Sequence, residues 1–139
     1  MVFECTEDEQ YFKTLLGVRD LEPYAALFDF RPVAIKRAEF NRLHTQLYQQ
    51  LIERDGKQCA WHLVDDCEQD QHLAIDHLVP LSSNKMNKEL RLMKPTRGKT
   101  VLTQSLGSNN PANLVLACAK CNNHKKHRLL DIREYIRRQ

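Results

Sequence analysis

The sequence lacks the features of several large protein classes. No apolar run approaches the roughly 18 residues that a membrane-spanning helix requires, so no membrane span is expected. The first residues are acidic and lack the basic start and apolar stretch of a signal peptide, which predicts a cytoplasmic, reducing environment. There are no internal repeats, which excludes a repeat architecture. With 139 residues and a mean hydropathy of −0.58, the chain is expected to form one soluble globular domain.

Cysteine is scarce and odd in number, which does not suit a set of structural disulfides. Five cysteines in a reducing environment are more typical of metal ligands than of disulfide partners. The segments Cys59-Ala-Trp-His62 and Cys118-Ala-Lys-Cys121 have the spacing with which one tight turn offers two ligands to a metal ion. Together they predict one tetrahedral structural Zn²⁺ held by three thiolates and an imidazole. The predicted ligands are Cys59, His62, Cys118 and Cys121.

Other interpretations of the cysteines stay open. Cys67 would be the fourth ligand if His62 were a surface residue. The cysteines would otherwise bind no metal at all. A redox-active pair of Cys118 and Cys121 is a further alternative, although no thioredoxin-like βαβ pattern surrounds it. In the zinc interpretation, Cys5 and Cys67 are spare thiols.

Charge is distributed unevenly along the chain. Residues 1–84 carry 8 Lys/Arg and 15 Asp/Glu, a net charge of −7, whereas residues 85–139 carry 13 and 3, a net charge of +10. A basic half this pronounced predicts a polyanionic partner, most simply nucleic acid. The alternative is a solvated basic surface that binds nothing.

The periodicity of the apolar residues predicts an α+β fold, mostly helical, with an N-terminal helical segment. The predicted elements are one or two short helices within residues 1–30, an amphipathic helix between Pro32 and Gly56, a strand over 72–79, a short apolar segment over 114–117, a helix from about 118 to 130 and a basic helix over 131–138. We expect a single compact domain made of an N-terminal extension (1–56), a core (57–130) with a polar insertion (82–106), and a C-terminal helix (131–139).

The insertion carries basic residues at every third position. If residues 84–94 are helical, Lys85, Lys88 and Arg91 line one face of that helix. We expect such an arm to follow a phosphate backbone, with a solvated charged face as the alternative. The full set of predicted DNA-binding residues is Lys85, Lys88, Arg91, Lys94, Arg97, Lys125, Lys126 and Arg128.

Three segments together resemble the HNH endonuclease family, whose site is a ββα-metal fold. They are Asp76-His-Leu-Val-Pro80, Asn109-Asn-Pro-Ala-Asn-Leu114 and Cys118-Ala-Lys-Cys-Asn-Asn-His-Lys125. They look like the family pattern of a C-x-x-C pair, DH-x-x-P, an N-L pair and C-x-x-C-[HN]-x-x-K. The resemblance covers about residues 57–128, and residues 1–55 take no part in it.

The resemblance implies a role for each matching residue. His77 would be the general base, and Asp76 and Asn122 would hold a catalytic Mg²⁺ or Mn²⁺. Asn113 would hydrogen-bond across the loop between the strands, and Lys125 would lie near the phosphate. His124 remains an alternative to Asn122. Consecutive strand residues point to opposite faces, so Asp76 and His77 reach one metal centre only if the strand bends there, and the resemblance implies such a bend.

The function that follows is metal-dependent hydrolysis of DNA, most simply duplex DNA. A neutral imidazole is suited to activating water, and a hard cation is suited to stabilising the leaving oxygen. The family suggests restriction, defence, or phage and mobile-element biology. Two alternatives stay open: a non-catalytic zinc-stabilised nucleic-acid-binding module, and a nuclease subunit of a homodimer or larger protein assembly. No interaction with a membrane is expected.

Overall fold

The protein has a small α+β fold. The structure is a computed structural model that describes residues 1–4, 6–83, 104–125 and 131–136. The helices are α1 (Thr6–Leu16), α2 (Val33–Asp55) and α3 (Ala119–Lys125), with 3-10 helices at Glu22–Leu27 and Pro111–Asn113. The strands are β1 (Leu73–His77), β2 (Ser82–Ser83), β3 (Gln104–Ser105) and β4 (Leu114–Cys118).

The first thirty residues bury a cluster of aromatic rings. α1 buries Phe12, and the 3-10 helix that follows it buries Tyr24 and Leu27. The rings of Phe12 and Phe28 meet edge to face with their centroids 4.9 Å apart, and such a pair adds about 0.5–1.5 kcal/mol to the effect of burial. The prediction of one or two short helices in this region is confirmed.

α2 is the longest helix in the described part of the chain. Pro32 precedes its first residue, and Gly56 follows its last with a φ of 80°, a left-handed conformation that favours glycine. The Gly56 N–H donates to the carbonyl of Ile52 at 2.8 Å and closes the last turn. Leu47 and Leu51 are buried against the central sheet. The predicted amphipathic helix between Pro32 and Gly56 is confirmed.

The central sheet consists of β1 and β4 in antiparallel register. Asp76 lies opposite Val115, and His77 lies opposite Leu114. β4 is buried at every position because both of its faces are covered. Leu114 packs with α2 in one apolar cluster. Val115 packs in another apolar cluster, which contains Trp61 and the N-terminal aromatic rings. A strand that is buried on both faces has a continuous apolar sequence, as β4 does.

α3 begins directly after β4 and contacts both β4 and β1, although β2, β3 and a 3-10 helix lie between β1 and β4 along the chain. The end of α2 is joined to this unit through Arg54. Its guanidinium donates to the carbonyls of Pro111 and Leu114, each at 2.7 Å. α2 is therefore tied to the segment that leads into β4 as well as packed against the sheet.

A second, smaller antiparallel pair is formed by β2 and β3. Next to it, a Cβ atom at Gly107 would lie 2.0 Å from the carbonyl oxygen of Val79, so only glycine fits. The ammonium of the fully buried Lys36 donates to the carbonyls of Asp29, Leu81 and Gly107 at 2.7, 3.0 and 2.6 Å. Burial lowers the pKa of Lys36 to about 8. These bonds hold the loop after β3 against α2.

Some predicted elements have different bounds in the structure. The strand predicted over 72–79 is β1, which covers Leu73–His77. The helix predicted over 118–130 is α3, which covers Ala119–Lys125. Residues 126–130 of that prediction lie outside the described part of the chain. The helix predicted over 131–138 is wrong for residues 131–136, which form a turn. There the Asp131 carboxylate accepts from the Arg133 N–H at 3.2 Å, and this local bond competes with a helix.

Among the described residues, no helix is both long and apolar enough to cross a membrane. The longest of them, α2, carries four charged residues in its first half and three at its end.

Candidate metal centre and adjoining cleft

Four cysteines from distant parts of the chain converge at one point. Their sulfur atoms all lie within 4.8 Å of one another. The sulfurs of Cys67 and Cys118 are 3.8 Å apart, which matches the edge of about 3.8 Å in a tetrahedron with metal–sulfur bonds of about 2.3 Å. The cluster, which consists of Cys59, Cys67, Cys118 and Cys121, could hold a metal ion such as Zn²⁺.

The fourth member of this four-cysteine cluster is Cys67, where the main sequence-based prediction had His62. The alternative with Cys67 is therefore the one that the geometry favours. His62 has a left-handed φ of 48° and an exposed side chain whose Nδ1 lies 3.4 Å from the sulfur of Cys67. A turn in which the Cys67 N–H donates to Val64 then carries Cys67 inward. The imidazole is a neighbour of the cluster and not one of its four members.

Backbone N–H groups point at the sulfurs of the cluster. Cys118 accepts from the N–H groups of Glu68 and Cys121, each at 3.4 Å, and Cys121 accepts from Leu63 at 3.3 Å. Burial raises the pKa of Cys118, but the N–H donors outweigh it and lower that pKa to about 7. Burial raises the pKa of Cys121 to about 12. Because thiolates are the metal-binding form, a metal ion would have to displace protons here.

A cleft of about 190 Å³ lies at the end of β1. It is lined by Arg37, Asp76, His77, Pro80, Leu81, Ser82, Asn122 and Lys125. Asp76 and His77 come from β1, whereas Asn122 and Lys125 come from α3. The structure thus brings four of the sequence-predicted site residues to one cleft.

Asp76 lies on the face of β1 that carries Trp61. Its Oδ2 accepts from the indole N–H of Trp61 at 2.8 Å. The ammonium of Lys125 lies 3.1 Å from Oδ2 and 3.3 Å from Oδ1. Lys125 is buried, donates to the carbonyl of His77 at 3.2 Å and lies 5.4 Å from the centroid of the Trp61 ring. The carboxylate is therefore held by a neutral donor and a cation.

His77 lies on the opposite face of β1, towards α2. Its Nε2 is 2.9 Å from Oδ1 of Asn109, and its ring lies 5.1 Å from that of Phe40. Burial lowers the pKa of His77, although Asn109 and Asp76 act to raise it. Asp76 and His77 thus point to opposite sides of the strand, as strand geometry requires. Both line the same cleft because it lies at the end of β1.

Asn113 is fully buried and ties the two chain segments between β1 and β4 together. Its Oδ1 accepts from the N–H of Val79 at 2.8 Å, and its Nδ2 donates to the carbonyls of Val79 and Ser108 at 2.9 and 2.8 Å. Its own carbonyl accepts from the N–H of Leu78 at 2.8 Å. These bonds fix the backbone that follows His77, close to the role that the resemblance implies for this residue.

The two alternatives for a second metal ligand differ in position. Asn122 lines the cleft, whereas His124 is exposed and is not among the lining residues. Lys125, predicted near the phosphate and among the DNA-binding residues, is instead buried against Asp76. The other predicted DNA-binding residues lie outside the described part of the chain. They are Lys85, Lys88, Arg91, Lys94, Arg97, Lys126 and Arg128.

Sequence reasoning missed several residues that surround the cleft. Arg37 lines it, and Trp61 and Asn109 contact Asp76 and His77. Trp61 stands between the predicted zinc ligands Cys59 and His62, and Asn109 begins the second segment of the family resemblance, but the sequence analysis assigns neither residue a role. Arg37 had no local signal, because it belongs to a helix that packs beside the site only in the folded chain.

No family model, no curated protein and no solved structure matches the chain. The resemblance therefore rests on the sequence motifs alone.

Proposed function

We propose that the chain is a metal-dependent endonuclease of the HNH type that hydrolyses phosphodiester bonds in DNA. The observation that supports this most is the cleft shared by Asp76, His77, Asn122 and Lys125. These residues come from two segments far apart in sequence, and they are four of the five positions to which the motif assigns chemistry. The four-cysteine cluster borders the same unit, since Cys118 ends β4 and Cys121 lies in α3.

In this proposal the imidazole of His77 takes a proton from a water molecule as that water attacks phosphorus. Its lowered pKa keeps the ring neutral at pH 7, which is the form a general base needs. The bond from phosphorus to the 3′ oxygen then breaks, this oxygen takes a proton from solvent water, and the products are a 3′-hydroxyl and a 5′-phosphate. Arg37 is exposed at the cleft and is suited to holding a non-bridging phosphate oxygen.

The residues present fit a divalent cation. Mg²⁺ and Mn²⁺ prefer oxygen ligands, and Asp76 and Asn122 offer a carboxylate and an amide oxygen to one cleft. Trp61 and Lys125 each donate to one oxygen of Asp76, and a metal ion would use a further lone pair of the same carboxylate. The cation, when bound, would stabilise negative charge on the phosphate and the leaving oxygen.

The zinc site has a separate, structural part in the proposal. A closed set of four thiolates has no open position for substrate, so the ion would join the loop that contains Cys67 to the start of α3. We propose that this junction supports the wall of the cleft that α3 contributes. The basic half of the chain would then face the DNA, in the setting of restriction, defence or phage biology.

A second candidate is a zinc-stabilised nucleic-acid-binding module without turnover. It is favoured by the ion pair between Lys125 and Asp76, because a buried cation already neutralises the carboxylate that a metal would need. The cleft residues would then be kept for their contribution to folding.

Incubation of the purified chain with supercoiled plasmid separates the two candidates. We expect nicking with Mg²⁺ or Mn²⁺, none with EDTA, and none with Asp76→Asn, which keeps the size of the side chain but removes its charge. Asp66→Asn is the matched control, since Asp66 is exposed and pairs with Lys120 away from the cleft. Salt-dependent binding of DNA without any cleavage would support the second candidate and contradict the first.

A further inference from the structure

Asn109 links the ring of His77 to α2. Its Oδ1 lies 2.9 Å from Nε2 of His77, and its Nδ2 donates to the carbonyl oxygen of Lys36 at 2.8 Å and to Oε1 of Glu39 at 3.2 Å. The side chain is buried, so these three groups set its environment. The link crosses from the segment with the family resemblance to a helix outside it.

The two acceptors on α2 fix which way the amide of Asn109 points. A carbonyl and a carboxylate both face one end of the amide, and only the NH₂ group can donate to both of them. In the flipped orientation, the amide oxygen would face two other oxygens and the NH₂ group would face His77. The carboxylate of Glu39 is itself held in place, because Arg31 donates to both of its oxygens at 3.0 Å.

The position of Asn109 is held independently of its amide. The buried ammonium of Lys36 donates to the carbonyl of Gly107, two residues earlier, at 2.6 Å. The hydroxyl of Ser108 donates to the carbonyl of Ala26. The backbone on the N-terminal side of Asn109 is therefore anchored to the N-terminal part of the chain before the amide makes any bond.

A fixed amide decides where the proton of His77 lies. Oδ1 has lone pairs and no hydrogen, so Nε2 of His77 must be the donor across the 2.9 Å distance. In a neutral imidazole the other nitrogen, Nδ1, then carries the lone pair. A partner that sets the tautomer of a histidine in this way decides which nitrogen can accept a proton.

We infer that Asn109, held by Lys36 and Glu39 of α2, is a positioning residue that fixes the Nε2–H tautomer of His77 and leaves Nδ1 as the proton acceptor. The inference rests on the proposed function for its catalytic consequence. It also gives α2 a role in the site beyond packing.

Nuclear magnetic resonance of the full chain with ¹⁵N-labelled histidine tests the tautomer directly. The sequence has 6 histidines, and comparison with His77→Gln identifies the signals of His77. At alkaline pH, where the ring is neutral, we expect Nε2 to carry the proton and Nδ1 to have the shift of an unprotonated nitrogen. In Asn109→Leu, which keeps the branched shape but removes both polar groups, we expect a mixture of tautomers. A proton on Nδ1 in the unmodified chain overturns the inference.

Kinetics give a second readout. We expect Asn109→Leu to lower kcat by about 10- to 100-fold, the loss typical of removing an outer partner that orients a functional histidine, with little change in KM. Glu39→Ala should give a smaller loss, because Lys36 still holds the amide. Glu53→Ala, an exposed glutamate of the same helix, is the matched control and should change nothing.

If Asn109→Leu does not fold, the tautomer of the unmodified chain and the comparison of Glu39→Ala with Glu53→Ala still decide the matter. An unchanged tautomer and kcat in folded Asn109→Leu overturn the inference. A chain that cuts no DNA but has the Nε2–H tautomer contradicts the proposed function alone. A chain that cuts DNA with the proton on Nδ1 contradicts this inference alone.

Discussion

At the scale of single residues, the environments of Asp76 and His77 differ although the two are neighbours in β1. Asp76 accepts from Trp61 and Lys125, whereas His77 meets Asn109 and the ring of Phe40. Opposite faces of one strand thus give the carboxylate a cationic partner and the imidazole a buried, neutral one. On its side of the strand, burial lowers the pKa of the His77 ring and favours the uncharged imidazole.

The lowered pKa of His77 predicts a pH dependence of stability. Below its ordinary pKa of about 6.5, the unfolded chain binds a proton that the folded chain resists. The free energy of unfolding should therefore fall as the pH drops from about 6.5 towards the folded-state pKa of His77. In His77→Gln, the part of this fall in the free energy of unfolding that comes from His77 should be absent. Urea unfolding of both proteins between pH 7.5 and about 5 measures it, and parallel curves would contradict the lowered pKa.

Lys125 competes with a divalent cation for Asp76 in our account. Replacing it by methionine keeps most of the volume, removes the repulsion between two cations and frees acceptor positions on the carboxylate. We expect Lys125→Met to bind Mn²⁺ at least about tenfold more tightly, because removing one nearby charge is worth more than 1.4 kcal/mol at a partly buried site.

Isothermal titration with Mn²⁺ measures that change without any need for cleavage. Lys120→Met is the control, since Lys120 pairs with Asp66 on the surface at 2.8 Å. Equal affinities in Lys125→Met and Lys120→Met would mean that the ammonium of Lys125 does not oppose a metal ion at Asp76.

At the scale of structural elements, the loop from Cys59 to Gln69 and the start of α3 form one unit. The Cys59 N–H donates to the carbonyl of Gln69 at 2.7 Å, which closes the loop on itself. The four-cysteine cluster then joins this loop to Cys118 and Cys121. Trp61 is buried in the core and Leu63 and Val64 pack against it, so a metal ion would add to the order that these apolar contacts already give the loop.

The identity of the fourth ligand gives a sharp test. We expect Cys67→Ser to lose zinc and to unfold at a much lower temperature, since structural zinc contributes about 10 kcal/mol or more to small folds. His62→Ala should keep zinc in full. Zinc content by atomic emission and thermal unfolding measure both variants. Retention of zinc in Cys67→Ser together with its loss in His62→Ala would restore the original assignment of His62.

The sequence was sufficient to predict elements whose signal is local. The helix between Pro32 and Gly56 follows from apolar spacing and from its end residues, and β4 follows from a short apolar run. The turn at residues 131–136 was mistaken for a helix because the bond from Arg133 to Asp131 does not alter apolar spacing.

The site residues that belong to a sequence motif could be predicted. Those that only the folding of the chain brings to the cleft could not. Asp76, His77 and Asn122 were found through the motif and share one cleft. The choice between His62 and Cys67 depends on a left-handed turn that the spacing of the cysteines does not reveal. No local pattern assigns Asn109 a role, because its partners on α2 are about 70 residues away along the chain.

At the scale of the whole molecule, the asymmetry of charge predicts how affinity for DNA responds to salt. The acidic half, with a net charge of −7, supplies α2 and the aromatic cluster, whereas the basic half, with +10, includes α3 and the insertion. Phosphate contacts made by the basic half would release counterions on binding.

Replacing Lys85, Lys88 and Arg91 by alanine should flatten the dependence of log affinity on log salt by about 0.9 for each lost phosphate contact on duplex DNA. Replacing Arg19, Arg42 and Lys57, which belong to the acidic half, removes the same charge and should leave that slope nearly unaltered. Fluorescence anisotropy with a short duplex across a series of salt concentrations measures it. Identical slopes in the two triple variants would show that the insertion does not contact the backbone.

The central claim is that Asp76 and His77 act together on a phosphodiester bond. Single-turnover cleavage of duplex DNA with Mn²⁺ tests it most directly, with His77→Ala and Asp76→Ala compared against His44→Ala, an exposed histidine of α2 outside the cleft. We predict that His77→Ala and Asp76→Ala both lose cleavage, that folding and zinc content persist in His77→Ala, and that His44→Ala cuts as the unmodified chain does. Cleavage that persists in both His77→Ala and Asp76→Ala would contradict the account.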